Sequence, residues 1–477
     1  MKKTITLLFL CLLLFFNSGQ CQETWNLRTV VDYAMKNNLG VKQSDIQARI
    51  AAITLKQSRA DIFPSTQLGG GFSLNSGSNQ DPTSFGRITE TYKGASIQFQ
   101  TSADIFNFFR KRNTILANEW DVRASKAMVD KQRYDIALAA ANAYLQILLS
   151  LEQEKITLLQ ISQTTVQLNN TQKMVEAGSL PELNAVQLEA QLASDSVNYI
   201  TTKGNTSLAI LQLKALMDLD AALPFEIETP DVERIPIEPI AELQPEDVYA
   251  LALINQPQQR VNDYRLKMWK YNLKSAKASM LPTFSGYGSL GSAYNNQALH
   301  ITGVTPVNAP IGNVDIGGTS YQVFPITPFN SYSYAKTKFG QQLSDNFRQS
   351  IGLSINIPLF NGLSMRSNYW RSKLNYESTE LQKKQDDQKL KQDIYQAYTA
   401  AITAMEKYNA SKKNLSTNEV AYSFASKRYE VGMLNAFDLL TAQNNLFRAR
   451  LENTISRFDY VFKMKVLEFY RGQGLKL

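Results

Sequence analysis

The sequence carries itself twice, and no other feature restricts its fold as much. At a shift of 254 residues, Ser96 and Ile97 fall on Ser350 and Ile351, Phe106 and Asn107 on Phe360 and Asn361, Tyr144 on Tyr398, and Glu176 on Glu430. Upstream the shift is 218 and pairs Val30 with Val248, Ala34 with Ala252, Asn37 with Asn255 and Pro64 with Pro282. Whatever one half folds into, the other repeats. The change of shift places 36 extra residues in the second copy, between Leu290 and Ser350. That segment is rich in Gly, Ser, Asn, Pro and Tyr, so it reads as an enlarged, solvent-facing loop.

Each copy holds two strand-like segments around that loop position. In "SIGLSINIPLF", Ile351, Leu353, Ile355, Ile357 and Leu359 alternate with small and polar residues, and Ile97 and Phe99 alternate with Gln98 and Gln100 in the first copy. One face is apolar and the other polar. Their partners, Thr66 to Asn75 and Thr283 to Ala293, are Gly-rich with a weaker alternation. About ten residues per strand suffices to cross a tilted bilayer span. A single such hairpin would equally suit a soluble sheet.

The rest reads as helix. From Phe108 to Glu176, and again from Leu363 to Glu430, roughly 70 residues contain no proline, which at 1.5 Å per residue gives rods of about 100 Å. Along the second rod Ile394, Ala397, Ala401, Ala404 and Tyr408 recur at three- and four-residue spacing, a coiled-coil seam of small residues. Shorter helices are expected over Leu27 to Ile62, Glu182 to Met217, Asp247 to Leu281 and Ala436 to Tyr470. After each long helix comes the same turn, "KMVEAGSLPEL" and "KRYEVGMLNAF". Gly178 and Gly432 supply the positive φ of a tight helix-to-helix turn, and Pro181 suits a first helical turn. A short helix returns only halfway along a long one, so two short helices stacked end to end match it. The five prolines between the halves bar a continuous helix there.

These patterns set the expected divisions: a signal peptide over 1–21, a first repeat over 22–217, a Pro-rich, mid-height linker over 218–245, and a second repeat over 246–477. The N-terminus has Lys2 and Lys3, an apolar run from Ile5 to Phe16, then small and polar residues, the layout of a secretory signal. Cleavage before Gln22 removes both cysteines. The alternative is acylation of Cys21, against which Gln20 stands where a small residue is wanted. Beyond the signal, no uninterrupted apolar stretch of about 18 residues is seen, so a membrane role falls to the strands. The formal charge of +8 comes without a run of five or six basic residues, which argues against a nucleic-acid partner. Four strands cannot close a barrel, because about eight are needed and an open edge in lipid leaves backbone groups unpaired. If the strands span a membrane, the chain oligomerises.

The duplicated halves, "LPTFSGYGSL" opening a strand, "IPLFNG" closing one and the "YEVGMLNAFDLLTA" turn together resemble the TolC family of outer-membrane factors. The resemblance runs from Trp25 to about Arg471. It implies a mainly α protein with a membrane β-hairpin part: four strands per chain, completed as a homotrimer into a β-barrel above a long α-helical coiled-coil tunnel. It implies localisation in the outer membrane, in contact with its lipids, and extension into the periplasm. It also implies export of small molecules or proteins, as the exit duct of a tripartite efflux or type I secretion system. The partners implied are an inner-membrane transporter of RND or ABC type and a periplasmic adaptor. Carried over by position, the tip turns and adaptor contact fall on Gly178, Leu180, Gly432 and Leu434. The tunnel entrance falls on Asp438, Thr441, Asn184 and Tyr429. Relatives carry an arginine where this chain has Leu434 and an acid where it has Asn184, so closure of the tip rests on packing or on other polar pairs.

Two other functions compete with the conduit. A periplasmic coiled-coil adaptor or scaffold explains the helices but leaves the alternating strands idle. An enzyme lacks support: His300 is the only histidine and falls in the variable loop, and no motif brings a nucleophile and a base together. No catalytic residue, metal ligand or cofactor is assigned.

Overall fold

The computed structural model describes residues 25–80, 85–230 and 235–472. The expected signal peptide, with Cys21, lies outside the described residues. In chain order the elements are α1 (Leu27–Asn37), α2 (Leu39–Ala60), β1 (Ser65–Gln80), β2 (Arg87–Phe106), α3 (Arg110–Glu176) and α4 (Glu182–Met217). A 3-10 turn at Ile240–Glu242 precedes α5 (Pro245–Asn255), α6 (Pro257–Ala278), β3 (Thr283–Asn295), β4 (Leu299–Val307), β5 (Gly312–Ile316) and β6 (Thr319–Val323). The chain ends with β7 (Phe329–Lys336), α7 (Phe339–Asp345), β8 (Arg348–Asn356), α8 (Ser364–Glu430) and α9 (Ala436–Arg471). Two compact units result. One comprises Met1–Ile53, Asn118–Trp269 and Asn375–Leu477, and the other Thr54–Ala117 and Lys270–Leu374.

The first unit is helical. Its core joins Val30 and Ala34 of α1, Ala140, Tyr144 and Ile147 of α3, Leu213 and Met217 of α4, and Phe458 and Val461 of α9. The long helices α3 and α8 have 67 residues each, as the absence of proline predicts. The expected seam on α8 is present, with Ile394 and Ala401 buried and Ala397 packed against them. No unbroken apolar run of that length appears among the described residues, but α3 contains an 18-residue stretch of mean hydropathy 1.3, interrupted by polar residues and apolar enough to cross a membrane by composition. Some 44% of the stretch is buried within the chain, and Ala137, Ala140, Ala141, Leu145 and Leu148 in this part of α3 belong to the core.

Two helices expected to be continuous are broken. Asn38 leaves the helical region (ψ 133°) between α1 and α2, its Oδ1 accepting from the Gly40 amide at 2.8 Å and its Nδ2 donating to the Leu216 carbonyl at 2.8 Å. That tertiary bond to α4 supplies a break that no local signal announced. Gln256 (ψ 125°) separates α5 from α6 because the ring of Pro257 bars its α conformation.

The Pro-rich segment is an ordered strap where it is described. Trp25 and Ile227 form a parallel bridge, and Trp25 stacks on Phe225 at 5.5 Å. The Tyr144 hydroxyl donates to the Glu228 carbonyl at 2.6 Å, near the middle of α3. Burial pushes that phenol well above its ordinary pKa, so it stays protonated as the donor. Further on, Lys465, itself buried, donates to the Pro236 carbonyl at 2.6 Å and pairs with Glu468 at 2.8 Å.

The second unit carries a four-stranded antiparallel sheet in the order β1-β2-β3-β8. Its register puts Leu68 beside Phe99, Phe99 beside Leu290, and Phe284 beside Ile355, so the large aliphatic residues of the alternation that fall within the strands share one face, while Ile357 and Leu359 lie beyond the end of β8. The other face carries Gln67, Gln100, Ser289 and Ser350, with Gln67 bonded to Gln100 at 3.1 Å and Ser289 to Ser350 at 2.8 Å. On this polar face the Tyr287 ring lies against Gly352, where an added Cβ would sit 2.6 Å from the phenol oxygen. At 16 and 20 residues, β1 and β2 exceed the ten expected, because the Ser- and Asn-rich stretch taken for loop stays paired out to Gln80 and Arg87.

The insertion is likewise more regular than its composition suggested. It forms two antiparallel ribbons, β4 with β7 and β5 with β6, followed by the short α7. Gly317 and Gly318, both at positive φ (58° and 87°), make the two-residue turn between β5 and β6. At the root of the larger ribbon Gln342, buried in α7, donates to the carbonyls of Asn295 and Thr337 at 2.9 Å each and accepts from the Asn295 amide at 2.9 Å.

Candidate functional site: the paired helix turns

The two repeated turns share one backbone solution. At the first, the Gly178 amide donates to Val175 O at 2.9 Å and the Ser179 amide to Met174 O at 2.9 Å; at the second, Gly432 donates to Tyr429 O at 2.9 Å and Met433 to Arg428 O at 2.8 Å. These are the two reversed bonds of a Schellman helix end, with φ of +72° at Gly178 and +76° at Gly432. No atom lies within 4 Å of a Cβ built at either glycine, so backbone handedness, not crowding, requires glycine here.

Beyond the glycines the turns differ. Pro181 stands at the N-cap of α4, one residue before the helix and outside the first turn expected for it, without a side-chain capping bond. At α9 the cap is Asn435, whose Oδ1 accepts from the Asp438 amide at 2.8 Å while its Nδ2 donates to the Asp438 carboxylate at 2.9 Å. Asp438 is thus an exposed acid in the first helical turn, held by its cap and favoured there by the helix dipole. Thr441, exposed one turn on, donates to the Phe437 carbonyl at 2.8 Å. Asn184, the counterpart of Asp438 in the first copy, is half-buried and adds no charge.

The expected grouping of these residues changes in one respect. Tyr429, assigned to the tunnel entrance, is fully buried in the chain: it forms a cluster with Ala436 and Leu439, against which Leu180, Leu434, Tyr422 and Ala425 pack. Its hydroxyl shares a 2.9 Å hydrogen bond with Thr171 of α3. An aromatic ring between two helical hairpins loses its solvent-facing surface to the neighbouring hairpin, which its position in the sequence does not report. Leu180 and Leu434, assigned to adaptor contact, are half-buried against that cluster. The large apolar side chains exposed around the turns are instead Val431, Met433, Phe437, Leu183 and Val186.

A buried polar layer follows in the same unit. Thr164 of α3 donates to Asp195 of α4 at 2.6 Å, Gln191 donates to the other Asp195 oxygen at 2.7 Å, and Gln443 of α9 donates to Thr164 at 2.9 Å. Asn444 and Gln191 exchange a further bond at 3.2 Å. Sequence reasoning passed over these residues. Asp195 follows the buried Leu188 by one heptad, and that register was the available sign that it faces a seam.

With this geometry in hand, comparison with known proteins is decisive. Residues 30–218 and 248–454 match the outer membrane efflux protein family, and the chain belongs to it. It is a channel protein of the outer membrane, an exit duct for efflux or secretion. The outer membrane efflux protein BepC of Brucella suis is 20% identical over 445 residues, spanning 93% of this chain and 84% of that protein. The outer membrane protein TolC of Escherichia coli is 21% identical over 467 residues, 97% of this chain and 84% of its own. Among solved structures, CusC, described with its transmembrane channel formation, superposes with a TM-score of 0.75 at 16% identity, covering 96% of this chain and 95% of that one. The duplicated barrel-and-tunnel fold is therefore shared.

Proposed function

We propose that three copies of this chain close into one conduit, a barrel across the outer membrane continued by a helical tunnel into the periplasm. The observation that carries this reading is the four-stranded sheet: one face gathers Leu68, Phe72, Ile97, Phe99, Leu290, Ile351, Leu353 and Ile355, and β1 and β8 have no neighbour on their outer edges among the described residues. In lipid each unpaired backbone group costs several kcal/mol, and four strands are too few to close, so other copies must supply the missing neighbours. The repeats over 22–217 and 246–477 give each copy two hairpins, joined by the strap over 218–245; the signal over 1–21 is removed on export.

In this reading the turns at Gly178 and Gly432 meet a periplasmic adaptor, which links the duct to an inner-membrane transporter of RND or ABC type. Met433, Phe437 and Leu183 offer the adaptor an apolar surface, and Leu180 and Leu434 form its floor. Asp438 and Thr441, with Asn184, line the entrance that the cargo, a small molecule or a protein, passes. The tip holds shut through packing around Tyr429 and its bond to Thr171, in place of a charged latch. Transport here is passive conduction, without catalysis, metal or cofactor. Mass photometry of detergent-purified protein tests the assembly. A trimer is expected; a stable monomer with intact strand content would overturn it.

A further inference from the structure

The chain's net charge is concentrated in one place. Residues 54–64, 104–117, 270–282 and 356–374, the stubs that carry each sheet strand's end into the adjoining helix, contain eleven Lys and Arg against two Asp and Glu. Over the whole chain the counts are 50 and 42, so the stubs, at +9, exceed the whole chain's +8, and the remainder, 39 against 40, is nearly balanced. All four stubs belong to the strand-bearing unit. One of the two acids, Asp104, is occupied by Arg110 at 3.2 Å and Lys111 at 3.4 Å. Exposed cations remain on every stub: Lys56, Arg112, Lys274, Lys277, Arg366 and Arg371.

The order of residue types is the same on all four stubs. Moving away from the strand, an exposed apolar side chain comes first and the cations follow: Phe63 then Lys56 beside β1, Phe109 then Arg112 beside β2, Leu281 then Lys277 beside β3, Phe360 then Arg366 beside β8. Aromatic side chains also lie under the cations, with Lys274 over Tyr271 at 5.1 Å and Arg112 over Phe109 at 6.0 Å. At 1.5 Å per helical residue the cations lie within roughly 20 Å of the strand ends. The headgroup zone is about 5–8 Å deep on each side of a bilayer, and fields persist for a further 8–10 Å in physiological salt. Apolar ring, aromatic edge and cation therefore follow the profile of hydrocarbon, interface and phosphate.

We propose that these stubs form a docking collar for anionic phospholipid headgroups in the leaflet where the strands end, the periplasmic one. The collar deepens the membrane-spanning reading of the sheet and rests on it. Its partner is set by charge: lipid phosphates are the dense anionic surface at that depth, and a merely solvated helical face would mix acids with bases as the rest of the chain does.

The test places the purified protein in nanodiscs of mixed phosphatidylglycerol and phosphatidylethanolamine and measures, by native mass spectrometry, which lipid stays bound. Enrichment of phosphatidylglycerol is expected for the wild type, falling at least about tenfold when Lys274, Lys277, Arg366 and Arg371 are all changed to Gln. High salt should erode the wild-type enrichment. The same four-fold change at Lys383, Lys391, Lys412 and Lys413 of α8, in the helical unit, should leave it intact. Oligomeric state is read alongside by mass photometry, so a monomer that still enriches phosphatidylglycerol overturns the trimer and spares the collar. If the stub variant keeps its lipid preference, the proposal fails. It fails equally if that variant changes only the anion selectivity of the channel, because the cations then face the conduit.

Discussion

The helices α3 and α8 are duplicates of equal length, yet the single chain treats them differently. Eighteen residues of α3 are buried and only six of α8. α3 lies in the core with Tyr144, Leu145, Ile147 and Leu148, whereas α8 leaves Leu374, Leu381, Val420 and Phe424 in solvent. Leu374 and Leu381 are a heptad apart, the spacing of a helix seam without a partner. The lesson is that one copy's long helix is finished within the chain and the other's is left as an exposed surface, which the proposed trimer would complete with another chain. Duplication preserved the rod and divided the labour.

The largest effect that could break this contrast is a charge buried in each helix. Ala140→Asp should unfold the helical unit, because Ala140 is fully buried in α3 and an unpaired carboxylate there costs more than about 4 kcal/mol. Leu381→Asp with Phe424→Asp should leave helix content intact and abolish the trimer. Circular dichroism and mass photometry separate the two outcomes, and a trimeric α8 variant would mean that the stripe faces water in the assembly. A smaller effect sharpens the contrast at one duplicated tyrosine. Tyr144 is buried and bonds Glu228 O at 2.6 Å, whereas its counterpart Tyr398 is half-buried and reaches Gln244 at 3.5 Å. Tyr144→Phe should cost about 1–2 kcal/mol in denaturant titration and Tyr398→Phe less than about 0.5. Equal losses would show the strap grips both helices alike.

Tyr429→Phe should remove about 0.5–1.5 kcal/mol, since it deletes the one bond from α8 to Thr171 and leaves the ring packed. Thr171→Val should act similarly, and the double variant should cost little more than either single change. Full additivity would mean that the two side chains do not act as a pair. Asp438→Asn should cost about 0.3–1 kcal/mol in stability, from the helix dipole. Its channel effect should be clear under the proposed trimer: three carboxylates at the entrance would favour cations and hold divalent ions, so planar-bilayer recordings should show lower cation selectivity and weaker divalent block. Wild-type values would mark Asp438 as only a helix-terminal acid.

The features readable in advance were those set by local chemistry. The long helices end at Glu176 and Glu430 as expected, because glycines that can take positive φ follow two residues later. The apolar face of the sheet was legible in the alternation around Ile97 and Ile351. Features set by a distant partner were not. The break at Asn38 depends on Leu216, the burial of Tyr429 depends on the facing hairpin, and the depth of Asp195 depends on Thr164 and Gln191. The ribbons of the insertion were hidden for another reason: Gly, Ser and Asn suit a turn and a water-facing strand equally well, and composition alone does not say which.

The outer edges of β1 and β8, unpaired among the described residues, have a genetic corollary. In the proposed ring of three, closed head to tail, each copy's β8 must meet the β1 of the next, so a single faulty edge opens the whole ring, however sound the other two copies are. A mutant allele that spoils only β8 pairing would therefore be dominant over the wild type in a cell expressing both. An allele that prevents the chain from folding at all would be recessive, since its product never reaches the ring.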